Sequence, residues 1–307
     1  MNSTEPKLQF RLTLVACSAN GAQILTTLDA SNRIRKLPSF IAGPVHSQPF
    51  EQTVRQQFGQ ALGENILHLE QIETSIENGI PTVDMLGLVA EPEQFRVPAC
   101  DWWPLYELFP WEDWRKRAPE TVASILLPAL YRWAKHAEPQ SQQIIANLFA
   151  DHDQNWSATN LANRYDFLYR AGLLPEALRD QSGAAVSVRH RHVHVFGQTM
   201  LGQDRRQLAR ALTRLRQNLQ TRPHLCFLVP RPFSLGTLQK AAEQITGIGL
   251  HTQNFRRDIL RSNLLVSAER YADQSMGRPA KLYTWANRLD PETSTIGIPL
   301  PRRKLRA

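Results

Sequence analysis

Residues 201–285 decide the reading of this chain. They run LGQDRRQLARALTRLRQNLQ from Leu201 and LCFLVP from Leu225. They continue RPFSLGTLQKAAEQITGIGLHTQNFRRDILRSNLLVSAER from Arg231 and close with AKLYTW from Ala280. Leu208, Leu212, Leu215 and Leu219 recur at four, three and four residues, which marks one face of a helix. Arg206, Arg210 and Arg214 make a second stripe at i, i+4 and i+8. Ser234 stands where a helix N-cap belongs, and Gly247 and Gly249 end the helix that follows. Thr252 is placed to cap a third helix. That helix would turn Phe255, Ile259 and Leu260 inward and leave Gln253, Asn254, Arg256, Arg257 and Arg261 on its other sides. Two short β-prone pieces, LLVSAER and AKLYTW, then flank YADQSMGRP. Helix, helix, helix, hairpin is the order of a winged helix-turn-helix.

The side chains left outside suit a DNA partner. Gln, Asn and paired Arg on one helix are the groups that read base edges in the major groove. Arg278 and Lys281, beside Gly277 and Pro279 at the hairpin tip, suit phosphates or the minor groove. The plainer reading of these arginines is a solvated helix face. Charge distribution bears on the choice. Residues 200–307 hold 19 Lys and Arg against 7 Asp and Glu, a balance of +12, whereas residues 1–199 hold 17 against 21, a balance of −4. All the excess positive charge therefore lies in the last third, which implies a polyanionic partner for it. The tail PRRKLRA adds four basic residues that suit either a phosphate backbone or a plain disordered end.

The chain of 307 residues is long enough for two modest domains and a connecting element, and 42% hydrophobic content supports real cores. No apolar run approaches the roughly 20 residues of a membrane span. MNSTEPKLQF at the N-terminus has no signal-peptide core. Cys17, Cys100 and Cys226 are few, odd in number and far apart, which reads as free thiols in a reducing cytoplasm.

From Leu8 the chain alternates as LQFRLTLVAC and then AQILTTLD. Between them Asn20-Gly21 signals a hairpin. RIRKLPSF is a third strand candidate, and ILHLEQIETSI and TVDMLGLVA are two more. Between them, Phe50 to Leu62 reads as a helix with Phe50, Val54, Phe58, Ala61 and Leu62 on its apolar side. A mixed sheet with a helix packed on it is the expected core.

The loop and helix from Ala42 to Glu64 resemble a Nudix box, a metal-binding motif rich in carboxylates. Laid without gaps on Gly63, its positions fall on Ala42 (with Gly43 beside it), Gln48, Gln56, Gln57, Phe58, Gln60, Ala61 and Gly63. The apolar and terminal glycine positions survive. Its four carboxylate positions hold Gln48, Gln57, Gln60 and Ala61 instead. Mg²⁺ prefers anionic oxygen, and an amide supplies neither the charge nor a base for water. The expectation is a Nudix-like cradle with no metal and no catalytic residue. A chance spacing in an unrelated sheet-plus-helix domain is the alternative.

CDWWPLYELFPWEDWRKRAPE gathers Trp102, Trp103, Trp111 and Trp114, a set that suits packing or, less commonly, the stacking of a planar ligand. APETVASILLPALYRWAKHAE follows as a helix with Val122, Ile125, Leu126, Leu130 and Trp133 apolar, kinked at Pro128. Beyond the linker EPQSQQ, QQIIANLFADHD and NLANRYDFLYRAGLLPEAL read as helical. VRHRHVHVF reads as a strand that projects His190, His192 and His194 from one face. A polar strand face explains such a trio more simply than Zn²⁺ or Cu²⁺ does.

Taken together, MLGQDRRQLARALTRLR, RPFSLGTLQ, LHTQNFRRDILRSNLLV and GRPAKLYTW resemble the Nudix-related transcriptional regulators of NAD metabolism. WEDWR and LANRYDFLYRAGL look closer to the NadQ type than to the shorter NrtR type. The resemblance implies an α+β chain with four parts: a Nudix-like ligand-sensing domain over 1–137, a linker and helical middle segment over 138–199, a winged helix-turn-helix over 200–287 and a basic tail over 288–307. It implies a cytoplasmic, homodimeric repressor of NAD biosynthesis genes with no cofactor. Its partners would be double-stranded operator DNA and an adenine nucleotide effector such as ATP, NAD or ADP-ribose. DNA contact is carried over to Thr252, Gln253, Asn254, Arg256, Arg257, Arg261, Arg278 and Lys281, and ligand contact to Arg11, Arg35, Gln48, Arg55, Gln57 and Gln60. An active Nudix pyrophosphatase with a basic appendage and a protein-interaction module are the competing classes.

Overall fold

The computed structural model describes residues 7–42, 49–58, 65–94, 97–149, 156–182, 193–271, 280–286 and 296–298. The chain divides into two compact units. One is Met1–Pro104 with Phe227–Pro230, and the other is Leu105–Cys226 with Arg231–Ala307.

The first unit is built on a mixed sheet of seven strands with β3-β2-β1-β6-β5 as its main order. β1 (Leu8–Ser18) lies in the middle, and its run from Phe10 to Ala16 is buried throughout, as expected of a strand covered on both faces. It turns through Ala19-Asn20 into antiparallel β2 (Gly21–Leu28), with Ser18 opposite Gly21, so a hairpin forms where Asn20-Gly21 signalled one, one residue earlier than the dipeptide itself. The third candidate strand is broken at Leu37-Pro38. Its halves serve different neighbours: β3 (Arg35–Lys36) pairs with β2, and β4 (Ser39–Ala42) pairs with β1. Pro38 cannot donate to a ladder, so a continuous strand was not available there. β5 (Ile66–Glu77) and β6 (Ile80–Val89) form a hairpin through Asn78 and Gly79, both with positive φ, and β6 runs parallel to β1. β7 (Cys100–Pro104) closes on β2.

Among the described residues, the helix α1 (Phe50–Gln57) packs on this sheet. It is shorter than the expected Phe50–Leu62: Phe58 is its C-cap, and residues 59–64 lie outside the described residues. Its apolar spacing works as expected at Phe50, Val54 and Phe58, and Ala61 and Leu62 lie outside the described residues. Val54 is buried among Phe10, Leu12, Leu14 and Met85, with Phe50 and Phe58 packed beside it.

Among the described residues, the second unit is mainly helical up to residue 221. Its elements are α2 (Leu127–Ala134), α3 (Ser141–Phe149), α4 (Leu161–Arg170), α5 (Pro175–Ser182) and α6 (Asp204–Thr221). Pro128 does not simply kink a helix. The preceding Val122–Leu126 is a π turn, which absorbs the missing proline N–H by lengthening the hydrogen-bond spacing. The helical stretch LANRYDFLYRAGLLPEAL is two helices, and Gly172, at φ +69°, lies just past the end of the first, where the apolar pattern stops. VRHRHVHVF is not a strand where it is described: Val193–Phe196 is a short helical turn, and His190 and His192 lie outside the described residues. Alternation alone was the warrant for that strand, and over so few residues it is a weak one.

Leucine spacing in α6 reads correctly. Leu208, Leu212, Leu215 and Leu219 are all buried. The arginines around it do more than the stripe suggested. Arg205 and Arg216, off the stripe, are fully buried, and so are Arg164 of α4 and Glu112. Arg164 donates from Nε to Glu112 Oε1 at 2.6 Å and from its terminal nitrogen to Oε2 at 2.9 Å. Arg216 donates to Glu112 Oε2 at 2.6 Å. Arg164 also covers the Trp156 ring at 3.8 Å, and Trp156 stacks on Trp114 at 4.2 Å. Arg205 reaches both carboxylate oxygens of Glu176 and the carbonyls of Leu108 and Phe196. Trp111 and Trp114 are thus core residues, the packing role. Trp102 and Trp103 belong to β7 in the other unit.

Candidate nucleic-acid interface

After α6 come α7 (Leu235–Thr246), α8 (Thr252–Arg261), β9 (Leu265–Tyr271) and β10 (Lys281–Trp285), with β8 (Phe233–Ser234) ahead of α7. The three strands form one sheet in the order β8-β10-β9, the wing sheet of a winged helix. β8 was not foreseen, because two residues carry no periodicity. Ser234 caps α7 as its sequence position predicts, its Oγ accepting from Thr237 N at 3.0 Å. Gly247 ends α7 at φ +72°, and its N–H donates to Glu243 O at 2.9 Å.

The turn between α7 and α8 is fixed from two sides. Glu243 accepts from Leu250 N at 2.8 Å, and Gln239 Nε2 donates to Leu250 O at 3.1 Å. On the far side the Glu112–Trp114 segment runs alongside, with Trp114 N donating to Gly247 O at 2.7 Å. Arg216 Nε donates to Ile245 O at 2.9 Å, and the Tyr106 hydroxyl donates to Gln244 O at 2.7 Å. A Cβ at position 247 would sit 2.2 Å from Glu112 O, so this approach requires glycine. The buried Glu112 centre therefore holds the C-terminal end of α7, and with it the start of α8.

α8 presents its candidate residues outward. Phe255 and Ile259 are buried, while Thr252, Gln253, Asn254, Arg256, Arg257 and Arg261 are exposed. Among the described residues, the side chains of Gln253, Asn254, Arg256 and Arg261 have no hydrogen-bond or ion-pair partner. Arg257 donates from Nε to Asp258 Oδ1 at 2.9 Å, a bond that raises its pKa above the ordinary value. Two expectations need correction. Thr252 is the first helical residue and not the cap: His251 precedes it in extended backbone without a capping side chain, and Thr252 Oγ1 accepts from Gln239 at 3.3 Å instead. Leu260 does not face inward. It is 47% exposed, because at 3.6 residues per turn it falls beside Gln253 and Arg257, opposite Phe255. Lys281 is exposed at the start of β10, across from Tyr271, and Arg278 lies outside the described residues.

The candidate ligand residues are placed as follows. Arg11 is buried in mid-strand and fully engaged: Nε and one terminal nitrogen hold Asp84 at 2.6 and 3.0 Å, and the other terminal nitrogen reaches Glu77 at 2.9 Å. Arg35 lies flat over Trp103 at 3.3 Å and donates to Thr26 Oγ1 at 3.0 Å. Arg55 donates to Ile66 O and pairs with Glu51 at 3.6 Å. Gln57 is exposed at the end of α1, and Gln48 and Gln60 lie outside the described residues. Along α1 the carboxylate is Glu51, one turn from Arg55, and Gln56 and Gln57 are amides. That donor set does not suit a Mg²⁺ ion, which needs clustered anionic oxygen.

Residues 225–285 match the sequence model of the NrtR DNA-binding winged helix domain. The structure of NrtR from Shewanella oneidensis complexed with a 27mer DNA is similar over 91% of this chain and 93% of that one, at 15% identity and a TM-score of 0.52. This chain has an NrtR-like fold. A second structure of Shewanella oneidensis NrtR, without DNA in its description, is similar over 94% of this chain and 96% of that one, at 16% identity and the same TM-score of 0.52. No curated protein sequence matches the chain. The NrtR-like architecture agrees with the expected α+β class: a Nudix-like mixed sheet with helices, a helical middle and a winged helix. Among the described residues no helix is long and apolar enough to cross a membrane.

Proposed function

We propose that this NrtR-like chain is a ligand-responsive transcriptional regulator, a repressor of NAD biosynthesis genes. Its α8 would read operator DNA in the major groove, and its Nudix-like sheet unit would bind an adenine nucleotide. The observation that carries the reading is the outer face of α8. Carboxylates at i±3 or i±4 would engage the arginines of a helix face that serves only as a solvated surface. Here Arg256, Arg261, Gln253 and Asn254 stand out together on a rigid, well-packed winged helix. Such groups recognise guanine and adenine edges, and Lys281 at the wing adds a phosphate contact.

The sequence adds further basic residues at Arg278 and over 288–307, in keeping with a polyanionic partner. Two copies on a near-palindrome would place their α8 helices about one DNA turn apart, roughly 34 Å. The sheet unit carries the effector role through its fold. With amides and Ala61 in place of the motif carboxylates, it binds without hydrolysing. The working compartment is the cytoplasm, where its DNA and nucleotide partners are.

The test is fluorescence anisotropy of pure full-length protein on its own promoter and on NAD-biosynthesis promoters. It is run at fixed salt, with and without ATP, NAD or ADP-ribose. Sequence-selective binding that one nucleotide shifts supports the proposal and names the effector. Equal, weak, salt-sensitive binding to every duplex overturns it. Release of products from ADP-ribose in Mg²⁺ would overturn the non-enzymatic reading of the sheet unit.

A further inference from the structure

Leu260 is the one apolar side chain on the outward face of α8. Gln253, Arg257 and Leu260 stand at i, i+4 and i+7, a single stripe along the helix. Phe255 and Ile259, at 6% and 1% exposure, hold the opposite side of α8 in the core. An exposed leucine is by itself unremarkable. Leu260 differs in its setting: Arg256, Arg257 and Arg261 surround it, and nearly half of it is open to solvent. A protein partner for this stripe would have to bury three guanidiniums to reach one isobutyl group. A duplex neutralises those cations with its phosphates and acceptor edges. The apolar group it offers in the major groove is the C5-methyl of thymine, the feature that separates T·A from C·G by shape alone.

We propose that Leu260 is a specificity-determining residue that packs on a thymine methyl in each half-site. The inference rests on the reading of α8 as a DNA-recognition helix. Arg257 and Gln253 would supply the polar readout on the same stripe, and Leu260 would fix one thymine where no donor or acceptor is used.

The test starts from a duplex selected by full-length protein from a random-sequence pool. Each thymine of the selected site is then replaced singly by deoxyuridine, which removes the methyl and leaves every hydrogen bond in place. At one thymine of each half-site the replacement is expected to weaken wild-type binding about fourfold, the worth of one buried methyl. Leu260→Ala should bind the thymine duplex more weakly and lose nothing further at that position. Leu260→Met, which keeps an apolar group of similar reach, should retain the deoxyuridine penalty. Circular dichroism of both variants checks that the fold is unchanged. An equal penalty in wild type and Leu260→Ala overturns the proposal. So does the lack of any thymine whose methyl matters to wild type by more than twofold. A pool that yields no preferred sequence removes the DNA-reading helix itself, and this assignment with it.

Discussion

Replacing Glu112 by Gln keeps the shape of the buried centre and removes its only anion among the described residues. In the folded chain Glu112 neutralises Arg164 and Arg216 at 2.6 Å each, and all three side chains are shielded from water. The remaining partners of these arginines are neutral carbonyls: Leu148 and Ser157 for Arg164, Ala158 and Ile245 for Arg216. Two guanidiniums would stay in the core without a counter-charge. Removing one partner of a buried ion pair costs about 3–5 kcal/mol. For a unit of this size each kcal/mol moves the melting temperature by about 2–4 °C, so a drop of roughly 6–20 °C is expected.

Urea denaturation followed by tryptophan fluorescence would measure the effect, since Trp156 and Trp114 stack beside the centre. A triple variant, Glu112→Leu with Arg164→Met and Arg216→Met, should recover much of the loss, because a hydrophobic set of similar volume needs no counter-charge. A loss below about 1 kcal/mol for Glu112→Gln would refute the claim that this centre is dry and paired. The pH dependence gives an independent check. Burial opposes ionisation of Glu112, but Arg164 and Arg216 hold its carboxyl below the ordinary 4.5. Its contribution is therefore complete above the unfolded value and is lost as pH falls through the lower folded value. Glu112→Gln should flatten that acid limb, and an unchanged limb would contradict the assignment.

Gly247→Ala should destabilise by at least about 2 kcal/mol, combining left-handed backbone strain with the clash against the Glu112 carbonyl. Thermal denaturation would show it, and a neutral outcome would place the turn elsewhere. Arg256→Ala should weaken binding to a selected operator about tenfold or more while leaving non-specific binding nearly unchanged. An unchanged operator affinity in anisotropy titrations would remove it from the readout. Lys281→Ala should weaken all duplexes alike and lower the salt slope by about one. A sequence-dependent loss would mean that the wing reads bases. Desolvation pushes the Cys17 thiol up to about 12. Its alkylation by iodoacetamide at pH 8 should therefore run at least about tenfold slower than that of an ordinary thiol, as mass spectrometry would resolve.

Short-range rules made much of this chain legible. The Asn20-Gly21 hairpin, the Ser234 cap, the Gly247 stop and the leucine stripe of α6 all depend on residues a few positions apart, and local geometry alone fixes them. Charge and residue type on α8 could likewise be read along the chain, because an exposed helix face is defined by its own period. Leu260 was misplaced only by counting apolar type ahead of angle. The i, i+7 relation to Gln253 was there to be seen.

What the sequence could not carry is pairing across distance. Nothing near Glu112 in the chain announces Arg164 and Arg216, 52 and 104 residues away. Arg11 looked like a free cation for phosphate until Asp84, 73 residues on, was brought beside it. A charged residue reads as solvated or ligand-binding unless its counter-ion is known, and only tertiary packing supplies the counter-ion. Hydrophobic period and capping thus located the longer helices and strands of this protein, from β1 to α6 and α8. The folded chain alone decided which of its arginines are buried as structure and which stay outside for a partner.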